Sequence, residues 1–406
     1  MESFKDKDTF LEGKKIVLGL SGGIDSVVLL HYLQQHYPHQ LRAVHCNHHL
    51  SQHSDKWQAF CLTLCQTHNI DCINIDLDLD KSSNIEENAR KMRYLALSSQ
   101  LKENDVLCTA HHKNDQAETL LLQLFRGAGA AGLSAMPKSK ALGAGEHYRP
   151  LLNINKADIL QYAQDHQLSW VEDDSNTDTN FRRNFVRLAI LPKLETVYQN
   201  IHNTLARSAK HQSESLQLTQ DLAKSDIKQQ QLMTNKRLNV TRLLQLKPYR
   251  IKNILRYHLS NLEFLAPTDK IMQQILGLLH AKEDATPLVR WGEFEIRRYQ
   301  NQLYFINNQT IKKTTAGTVD CTYYTEFKDQ DNFSIRYRQA GQRITLPNKN
   351  HAQSLKKVLQ EAGIPPWERP TLKMYYVNNQ LQAIERIGYA QQVVNEVKSK
   401  SNKDSQ

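Results

Sequence analysis

The fold is decided by residues 14–33, KKIVLGLSGGIDSVVLLHYL, in which SGGIDS separates an apolar run from an apolar helix-length segment. The first run has the length and composition of a buried strand, and the second is typical of a helix. A helix that starts directly after a strand presents free backbone N–H groups to an anion, and glycines allow that anion to approach closely. Hydroxyl groups supply further donors. The stretch therefore predicts a phosphate-binding loop, made of Ser21, Gly22, Gly23, Ile24, Asp25 and Ser26.

Asp25 is the unusual member of this loop. A carboxylate beside a polyphosphate is repelled unless a divalent cation lies between them, so Asp25 predicts a Mg²⁺ site. The loop lacks the Gly-Lys-Ser/Thr ending of a Walker A motif and is not GxGxxG. Kinase and dinucleotide-binding interpretations are therefore disfavoured. A plain glycine-rich turn from strand to helix is the structural alternative.

Apolar β-rich runs alternate with helix-period segments through roughly the first 190 residues. The segments are KKIVLGL, SVVLLHYLQQHY, LRAVHCNHH, DKWQAFCLTLCQTH, CINIDLDL, an amphipathic stretch from Ser83 to Glu103, and DVLCTAHH. This alternation predicts an α/β fold with a doubly wound parallel sheet covered by helices on both faces. In such sheets ligands bind where loops leave the carboxyl ends of the strands. Functional residues are expected directly after strands.

The pattern changes beyond the first 190 residues. After Pro192 the sequence is helical and polar, and EFEIRRYQNQLYFI and FSIRYRQAGQRITL each predict an antiparallel hairpin. We therefore expect a helical domain and then a small α+β C-terminal domain. The predicted boundaries are 1–215 for the catalytic domain with a linker helix, 216–315 for the mainly helical domain, 316–398 for the C-terminal domain and 399–406 for a disordered tail.

Composition limits the possible environments and partners. The 406 residues carry a formal charge of +10 with a pI near 9.1, which favours a polyanionic partner such as nucleic acid. No apolar run approaches the ~20 residues needed to cross a bilayer, and MESFKDKDTF lacks the features of a signal peptide. We expect a soluble, cytoplasmic protein without membrane contact. None of the six cysteines forms a CxxC pair, so reduced thiols are expected.

HHKNDQAET, residues 111–119, follows the strand-like run DVLCTAHH and starts a predicted helix. Asp115 and Glu118 are three residues apart and therefore lie on one helical face. Two such carboxylates can bind a cation or an amine. The alternative is a pair of acids that the macrodipole favours near a helix N-terminus, worth ~0.3–1 kcal/mol each.

Arginine clusters offer further contacts to phosphate. Arg90 and Arg93 lie one turn apart in NIEENARKMRY, and Arg182, Arg183 and Arg187 occur in NFRRNFVRL. Solvated charge for the first cluster and a capping network for the second are the alternatives. A zinc site at HCNHHLS is disfavoured because the ligand spacing is wrong. Basic residues also alternate with aromatic ones near the C-terminus, which suits RNA contacts; the candidates there are Arg250, Arg343, Lys356 and Lys357.

SGGIDS after a first strand resembles the pyrophosphate-binding loop of the PP-loop ATP pyrophosphatases, which cleave ATP between the α and β phosphates. HHKNDQAETLLLQLFRGAGAAGLSAM resembles the lysidine synthase form of an HHxDDxxET motif. NIEENARKMRY, RPLL from Arg149, the segment from Trp170 to Leu194, and SLKKVLQEAGIPPWERP after GQR also resemble that family. The resemblance to tRNA(Ile)-lysidine synthases therefore covers nearly the whole chain.

The resemblance implies a reaction and its substrates. ATP with Mg²⁺ would adenylate the C2 oxygen of the first anticodon cytidine in a tRNA(Ile) carrying CAU, and the ε-amine of free L-lysine would displace AMP. Decoding would shift from methionine to isoleucine. Lysine must attack as the neutral amine, and the sequence does not identify the base that deprotonates it. A homodimer is a further expectation from the family.

The resemblance also assigns roles to single residues. Asp115 and Glu118 would bind lysine, and His112 would lie near the reacting centre. His45 and His48 would lie beside the nucleotide, and Arg90 and Arg93 would contact phosphate or RNA. The expected catalytic set is Asp25, Arg90, His112, Asp115 and Glu118, and the expected tRNA-binding set is Arg183, Arg187, Arg250, Arg343, Lys356 and Lys357. Asn114 replaces the family's first aspartate and so removes one charge.

Three other functions fit parts of the sequence. A tRNA thiolase of the same fold would be expected to carry paired cysteines, and no CxxC is present. A glutamine-dependent synthetase would need a glutaminase domain, and the sequence shows no such domain. A non-catalytic tRNA-binding protein with a degenerate nucleotide site is disfavoured because the phosphate loop is intact.

Overall fold

A computed structural model describes residues 7–78, 85–172, 177–282, 287–308, 327–339, 341–345 and 351–389. The chain forms two compact units, Met1–Thr219 and Gln220–Gln406. The α-helices are α1 Ile24–His36, α2 Ser54–Thr67, α3 Ile85–Ser99, α4 Lys113–Phe125, α5 Ala130–Leu133, α6 Lys156–Asp165, α7 Arg182–Phe185, α8 Leu191–Glu195, α9 Ile201–Gln229, α10 Val240–Leu243, α11 Pro248–Asn261, α12 Asp269–Leu278 and α13 Leu355–Glu361.

The strands of the first unit are β1 Ile16–Gly19, β2 Leu41–Asn47, β3 Asp71–Asp76, β4 Val106–Cys108, β5 Ser139–Leu142 and β6 Gly145–Tyr148. They form one sheet in the order β3-β2-β1-β4-β6-β5. All neighbouring pairs are parallel except β5 and β6, which form an antiparallel hairpin at the edge. The predicted α/β class with a mainly parallel sheet is confirmed.

Helices cover both faces of this sheet because consecutive residues of its central strands are apolar. Ile16 and Leu18 of β1 belong to a core shared with α1, α2 and α6. Val17, between them, packs in a second core with Leu97 of α3. Burial on both faces explains why β1 is a continuous apolar run. The sheet is therefore doubly wound, as its sequence predicts.

The sheet changes winding direction between β1 and β4. The chain continues from β1 to β2 on one side, and from β4 to β6 on the other. The carboxyl ends of these two neighbouring strands therefore flank the crevice in which open α/β sheets bind ligands. SGGIDS follows β1 and HHKND follows β4. The fold brings together two motifs that are about 90 residues apart in the sequence.

The predicted helix from Ser83 to Glu103 corresponds to α3, although Ser83 itself lies outside the described residues. None of the helices in the described ranges combines the length and apolar character needed to cross a membrane. The cysteines in those ranges are free thiols, and Cys321 lies outside them; the free thiols are Cys46, Cys61, Cys65, Cys72 and Cys108.

The second unit begins with helices packed on an antiparallel sheet. Its strands are β7 Met233–Thr234, β8 Arg237–Asn239, β9 Leu288–Trp291, β10 Phe294–Tyr299 and β11 Gln302–Asn307, in the order β7-β8-β11-β10-β9. Ile254 and Leu255 of α11 and Ile275 of α12 share one core with Ile296 and Leu303 of the sheet. β10 and β11 pair as the hairpin predicted from EFEIRRYQNQLYFI.

The last strands are β12 Ser334–Tyr337, β13 Arg343–Ile344, β14 Gln353–Ser354, β15 Lys373–Val377, β16 Gln380–Ile384 and β17 Gly388–Tyr389. The hairpin predicted from FSIRYRQAGQRITL is wrong, since β12 pairs with β15 and β13 pairs with β14. β15, KMYYV, is largely buried and lies between β12 and β16. The alternating pattern identified the two strands but not their partners, which are β15 for β12 and β14 for β13.

Candidate active site

The phosphate loop, Ser21–Ser26, has a backbone that requires glycine. Gly22 has φ +86°, and a Cβ there would lie 2.9 Å from Val171 Cγ2 and 3.1 Å from Cys61 Sγ. The Val171 N–H donates to the Gly22 carbonyl at 3.0 Å. A side chain at Gly22 would therefore be strained by its backbone angle and would collide with the segment that holds the loop.

The two serines fix the shape of this loop. Ser26 Oγ accepts from the Ser21 N–H at 3.2 Å and from Ser21 Oγ at 3.1 Å, and it donates to the Gly23 carbonyl at 2.9 Å. No side chain caps α1, which begins after Gly23. The first N–H groups of the helix therefore remain available to an anion.

Asp25 joins the phosphate loop to two other segments. Lys156 Nζ, at the start of α6, donates to Asp25 Oδ1 at 2.5 Å. His112 Nε2 lies 3.7 Å from Asp25 Oδ2 and 3.5 Å from Asp115 Oδ2. His112 therefore lies between the loop carboxylate and the first acid of α4. The three segments meet at the crevice predicted from the strand order.

Asp115 and Glu118 share two arginines that come from a later part of the chain. Arg183 donates to Glu118 Oε2 at 2.7 Å and to Asp115 Oδ1 at 2.8 Å. Arg187 donates to Glu118 at 2.6 and 3.0 Å, and Glu118 is almost fully buried. We call these four side chains the acid–arginine cluster. Its geometry is that of bidentate pairing, which fixes the carboxylates in place.

Asp115 remains ionised in this cluster. Burial alone would raise the pKa of Asp115, but His112 and Arg183 beside it hold that pKa well below its ordinary value. An ammonium group that entered this cluster would meet an Asp115 carboxylate that is already charged. The two arginines balance the formal charge of the two acids, so recognition of an amine would depend on hydrogen bonds to the oriented carboxylate oxygens.

A cavity of about 260 Å³ opens beside the phosphate loop. Arg93 and Tyr94 of α3 line it together with Trp57 of α2. Arg90 is exposed, with its guanidinium 5.3 Å from the Tyr94 ring, and is not among the lining residues. Of the two arginines predicted from this helix, Arg93 is therefore the one at the cavity.

Two histidines of the HCNHH segment also line the cavity. The Nδ1 of His45 lies 2.9 Å from the Leu20 carbonyl, directly before the phosphate loop. Burial lowers the pKa of His45, so the ring is neutral near pH 7. His48 lies on the same wall. Contact of either histidine with a nucleotide stays a prediction.

Comparisons with known proteins agree along the whole chain. A PP-loop domain matches residues 2–194, a TilS substrate binding domain matches 238–304 and a TilS substrate C-terminal domain matches 333–402. The tRNA(Ile)-lysidine synthase of Coxiella burnetii is 36% identical over 408 residues, covering 94% of this chain and 90% of the relative. That of Legionella pneumophila strain Lens is 37% identical, covering 93% and 91%.

The chain belongs to the tRNA(Ile)-lysidine synthase family. Family membership includes the PP-loop domain and therefore use of ATP. It confirms the resemblance found from the sequence motifs, and the mainly parallel sheet agrees with the fold that this family implies.

Asn114, the departure from the lysidine synthase motif, has a structural contact here. Its Oδ1 accepts from the Lys156 backbone N–H at 3.3 Å, and the neighbouring Lys113 N–H donates to the Ile154 carbonyl at 2.9 Å. These bonds join the start of α4 to the start of α6. Asn114 therefore helps to hold the lysine that contacts Asp25.

Sequence reasoning missed Lys156, Trp57 and Tyr94. The only local signal for Lys156 was its position at the start of a helix after RPLLNIN. Its partner, Asp25, is 131 residues away in the sequence. The sequence also predicted that Arg183 and Arg187 bind tRNA, but it did not reveal that they pair with Asp115 and Glu118. Both arginines are paired within the described structure, so their role toward tRNA stays a prediction.

The predicted tRNA-binding residues of the second unit differ in exposure. Lys356 and Lys357 on α13 and Arg343 on β13 are exposed. Arg250 instead pairs with the buried Asp226, with Nε donating to Oδ2 at 2.9 Å. A role in stabilising this unit explains Arg250 without any RNA.

Proposed function

We propose that this protein joins L-lysine to C2 of the first anticodon cytidine of tRNA(Ile) carrying CAU. The cytidine O2 attacks the α-phosphorus of ATP, and pyrophosphate leaves. The lysine ε-ammonium loses one proton, its nitrogen attacks C2, AMP leaves with the O2 oxygen, and the nitrogen then loses a second proton. The product pairs with A rather than G, and the tRNA becomes a substrate for isoleucine rather than methionine. Homology along both catalytic and substrate-binding regions supports this proposal.

The phosphate loop is proposed to hold the ATP phosphates. The uncapped start of α1 offers N–H donors, and Lys156 beside Asp25 offers a cation. In the described residues no three His, Cys, Asp or Glu side chains gather as a metal site. Asp25 would therefore hold Mg²⁺ together with phosphate oxygens, a donor set that suits this ion. The bound ion would neutralise charge on the leaving pyrophosphate.

The acid–arginine cluster is proposed to bind the lysine substrate. Asp115 and Glu118 are buried and are oriented by their arginines, and His112 Nε2 lies within 3.7 Å of both Asp115 and Asp25. A lysine held there would lie beside the segment that binds ATP. Its ammonium must lose a proton before attack, since only the neutral amine is a nucleophile.

The remaining parts of the proposal concern tRNA and assembly. The exposed cations Arg343, Lys356 and Lys357 would contact the tRNA backbone. A cytoplasmic homodimer completes the proposal. Sedimentation velocity tests the dimer, because a species at the monomer mass of 46.9 kDa alone would contradict it.

The observation that carries the proposed function is the position of His112, whose Nε2 lies 3.7 Å from Asp25 of the phosphate loop and 3.5 Å from Asp115 of the acid–arginine cluster. The test incubates the protein with ATP, Mg²⁺, radiolabelled lysine and an unmodified tRNA(Ile) transcript carrying CAU. A tRNA(Met) transcript is the control. We expect ATP-dependent label in the isoleucine transcript alone. Absence of label from both transcripts, with folded protein that still binds tRNA, would overturn the lysine assignment.

A further inference from the structure

A chain of polar side chains runs behind the candidate active site. Thr109 Oγ1 lies 2.8 Å from His111 Nδ1 and 2.8 Å from His147 Nε2. Arg149 lies 3.3 Å from His147 Nδ1, and its other terminal nitrogen donates to the Pro137 carbonyl at 2.7 Å. His147 is completely buried and Arg149 nearly so. The reaction as described above uses none of these groups.

The chain of hydrogen bonds has one direction. A guanidinium only donates, so His147 Nδ1 accepts from Arg149. A neutral His147 then carries its proton on Nε2 and donates to Thr109 Oγ1. The single hydroxyl proton of Thr109 is left to donate to His111 Nδ1. His111 therefore carries its own proton on Nε2.

The surroundings keep both histidines uncharged. Burial, assisted by Arg149, Arg183 and Arg90, outweighs the opposing influence of Asp115 and lowers the pKa of His111 to about 3. Burial and Arg149 likewise lower the pKa of His147. Around neutral pH the His111 ring is a fixed, uncharged hydrogen-bond donor.

His111 lies where a substrate can reach this donor. Thr109 and Ala110, just before it, line the cavity beside the phosphate loop, and His112, just after it, contacts Asp25 and Asp115. His111 is only partly buried, and its Nε2 has no hydrogen-bond partner among the described residues. The buried hydrogen bonds orient the His111 ring, and its Nε2–H is free to donate to an oxygen of a ligand.

We propose that His111 is a catalytic residue that donates an uncharged Nε2–H hydrogen bond to a substrate oxygen, with Thr109, His147 and Arg149 as positioning residues. The proposal rests on the function proposed above. The acceptor is an oxygen of the ATP phosphates or of the target cytosine. A neutral imidazole can stabilise developing charge without transferring a proton. His111 is accordingly not the base that deprotonates lysine.

The first test compares His111→Gln with His111→Ala in the lysine-incorporation assay. The amide nitrogen of glutamine can occupy the region of Nε2 and donate, but it cannot act as a base. We expect kcat to fall about 10²-fold in His111→Ala, the scale for loss of one such donor, and to recover at least tenfold in His111→Gln. Equal losses in both variants would overturn the proposal.

The second test measures the tautomer directly, by nitrogen-15 NMR of histidine-labelled full-length protein. We expect His111 to show a protonated Nε2 and an unprotonated Nδ1 from pH 6 to 8. Thr109→Val removes the hydroxyl that donates to Nδ1, so His111 should become a mixture of the two tautomers and kcat should fall. Thr109→Ser should keep both the Nε2-protonated tautomer and the kcat of the wild type. A His111 ring that titrates in this range, or a tautomer unchanged in Thr109→Val, would contradict the relay.

The affinity for a non-hydrolysable ATP analogue, measured without tRNA, distinguishes the two possible acceptors, an ATP phosphate oxygen and the cytosine oxygen. Weaker binding by His111→Ala assigns the contact to phosphate, and unchanged binding assigns it to the cytosine. Wild-type protein that incorporates no lysine would refute the proposed function. The NMR result would still decide the state of His111, so the two failures are distinguishable.

Discussion

The two units of this protein use charged residues in different ways. In the first unit, Arg183 and Arg187 are paired with buried acids, and their positions are fixed by bidentate hydrogen bonds. In the second unit, Lys356 and Lys357 are exposed on one helix. Fixed charges set geometry and protonation, whereas exposed charges contribute mainly a salt-dependent attraction. The net charge of +10 therefore overstates how much of the surface is available to RNA.

The second unit also contains buried ion pairs, and these refine the comparison. Asp226 is buried against Arg250, and Glu295 accepts from Arg297 at 2.7 and 2.9 Å. Removal of one partner from such a pair leaves an uncompensated buried charge. The distinction is therefore between buried and exposed charge, and it predicts effects of very different size.

The largest effect is expected at Asp25. Asp25→Asn removes the loop carboxylate that contacts Lys156 and is proposed to hold Mg²⁺. We expect the adenylation rate, measured as tRNA-dependent pyrophosphate release, to fall about 10³-fold, as when a group that stabilises developing charge is lost. Asp158→Asn, at an exposed acid in the first turn of α6, is the matched control. Near-normal release by Asp25→Asn would show that this charge is not part of the chemistry.

Lys156 provides the next largest effect. Lys156→Met should lower the rate of pyrophosphate release about 10²-fold and raise the KM for ATP, because it removes a cation beside the phosphate loop. Lys156→Arg should retain part of the activity. Lys224, which pairs with Asp221 at 3.0 Å on the exposed face of α9, is the control site. An unchanged KM for ATP in Lys156→Met would remove Lys156 from the nucleotide site.

An intermediate effect is expected from pH. The pKa values of His111 and His147 are lowered in the folded protein, whereas unfolded histidines bind protons near pH 6.5. Below that pH the unfolded chain binds more protons than the folded chain. The free energy of unfolding is therefore highest above about pH 6.5 and decreases as the pH falls toward about 3. The slope approaches about 1.4 kcal/mol per pH unit for each histidine that stays neutral.

Hydrogen exchange checks this pH dependence locally. After correction for the intrinsic effect of pH, protection of β4 and β6 should decrease as pH is lowered from 7 to 5. β15 is the comparison, because its apolar core contains no histidine. The same pH slope in β15 as in β4 and β6 would contradict the role of the buried histidines.

The smallest effect is expected at the exposed lysines. Replacement of Lys356 and Lys357 together by glutamine should weaken tRNA binding several-fold at moderate salt. The slope of log affinity against log salt should become shallower by about 0.7–0.9 for each phosphate that the variant no longer neutralises. Lys224→Gln is again the control. An unchanged salt slope would mean that α13 does not contact tRNA.

Local sequence patterns predicted much of the fold and part of the candidate site. The position of SGGIDS between a strand and a helix indicated the phosphate loop, and the spacing of Asp115 and Glu118 placed both acids on one helical face. Each of these inferences needs only residues that are close in sequence. The β10–β11 hairpin was predictable for the same reason, since its two strands are adjacent in the chain.

The rest depends on contacts between distant segments. Lys156 reaches Asp25 across 131 residues, and Arg183 reaches Glu118 across 65. These contacts depend on tertiary packing between helices that are distant in the sequence, and no local pattern encodes that packing. The prediction of a local hairpin for β12 was wrong for the same reason, because the actual partner of β12 is β15, which is distant in the chain. His147 lies on β6 and Arg149 directly follows this strand, and no local pattern around them predicted the buried hydrogen bonds that they make.

The central claim, that the acid–arginine cluster binds lysine while the phosphate loop drives adenylation, is tested most directly with Glu118→Gln. The assay uses ATP labelled at the α-phosphate and labelled lysine, and it measures the transfer of each label to tRNA(Ile). Glu195→Gln, at an exposed acid, is the control. We predict that the variant still transfers AMP to the tRNA, while lysine transfer falls about 10²-fold and the KM for lysine rises. Normal lysine transfer with an unchanged KM for lysine would contradict the claim.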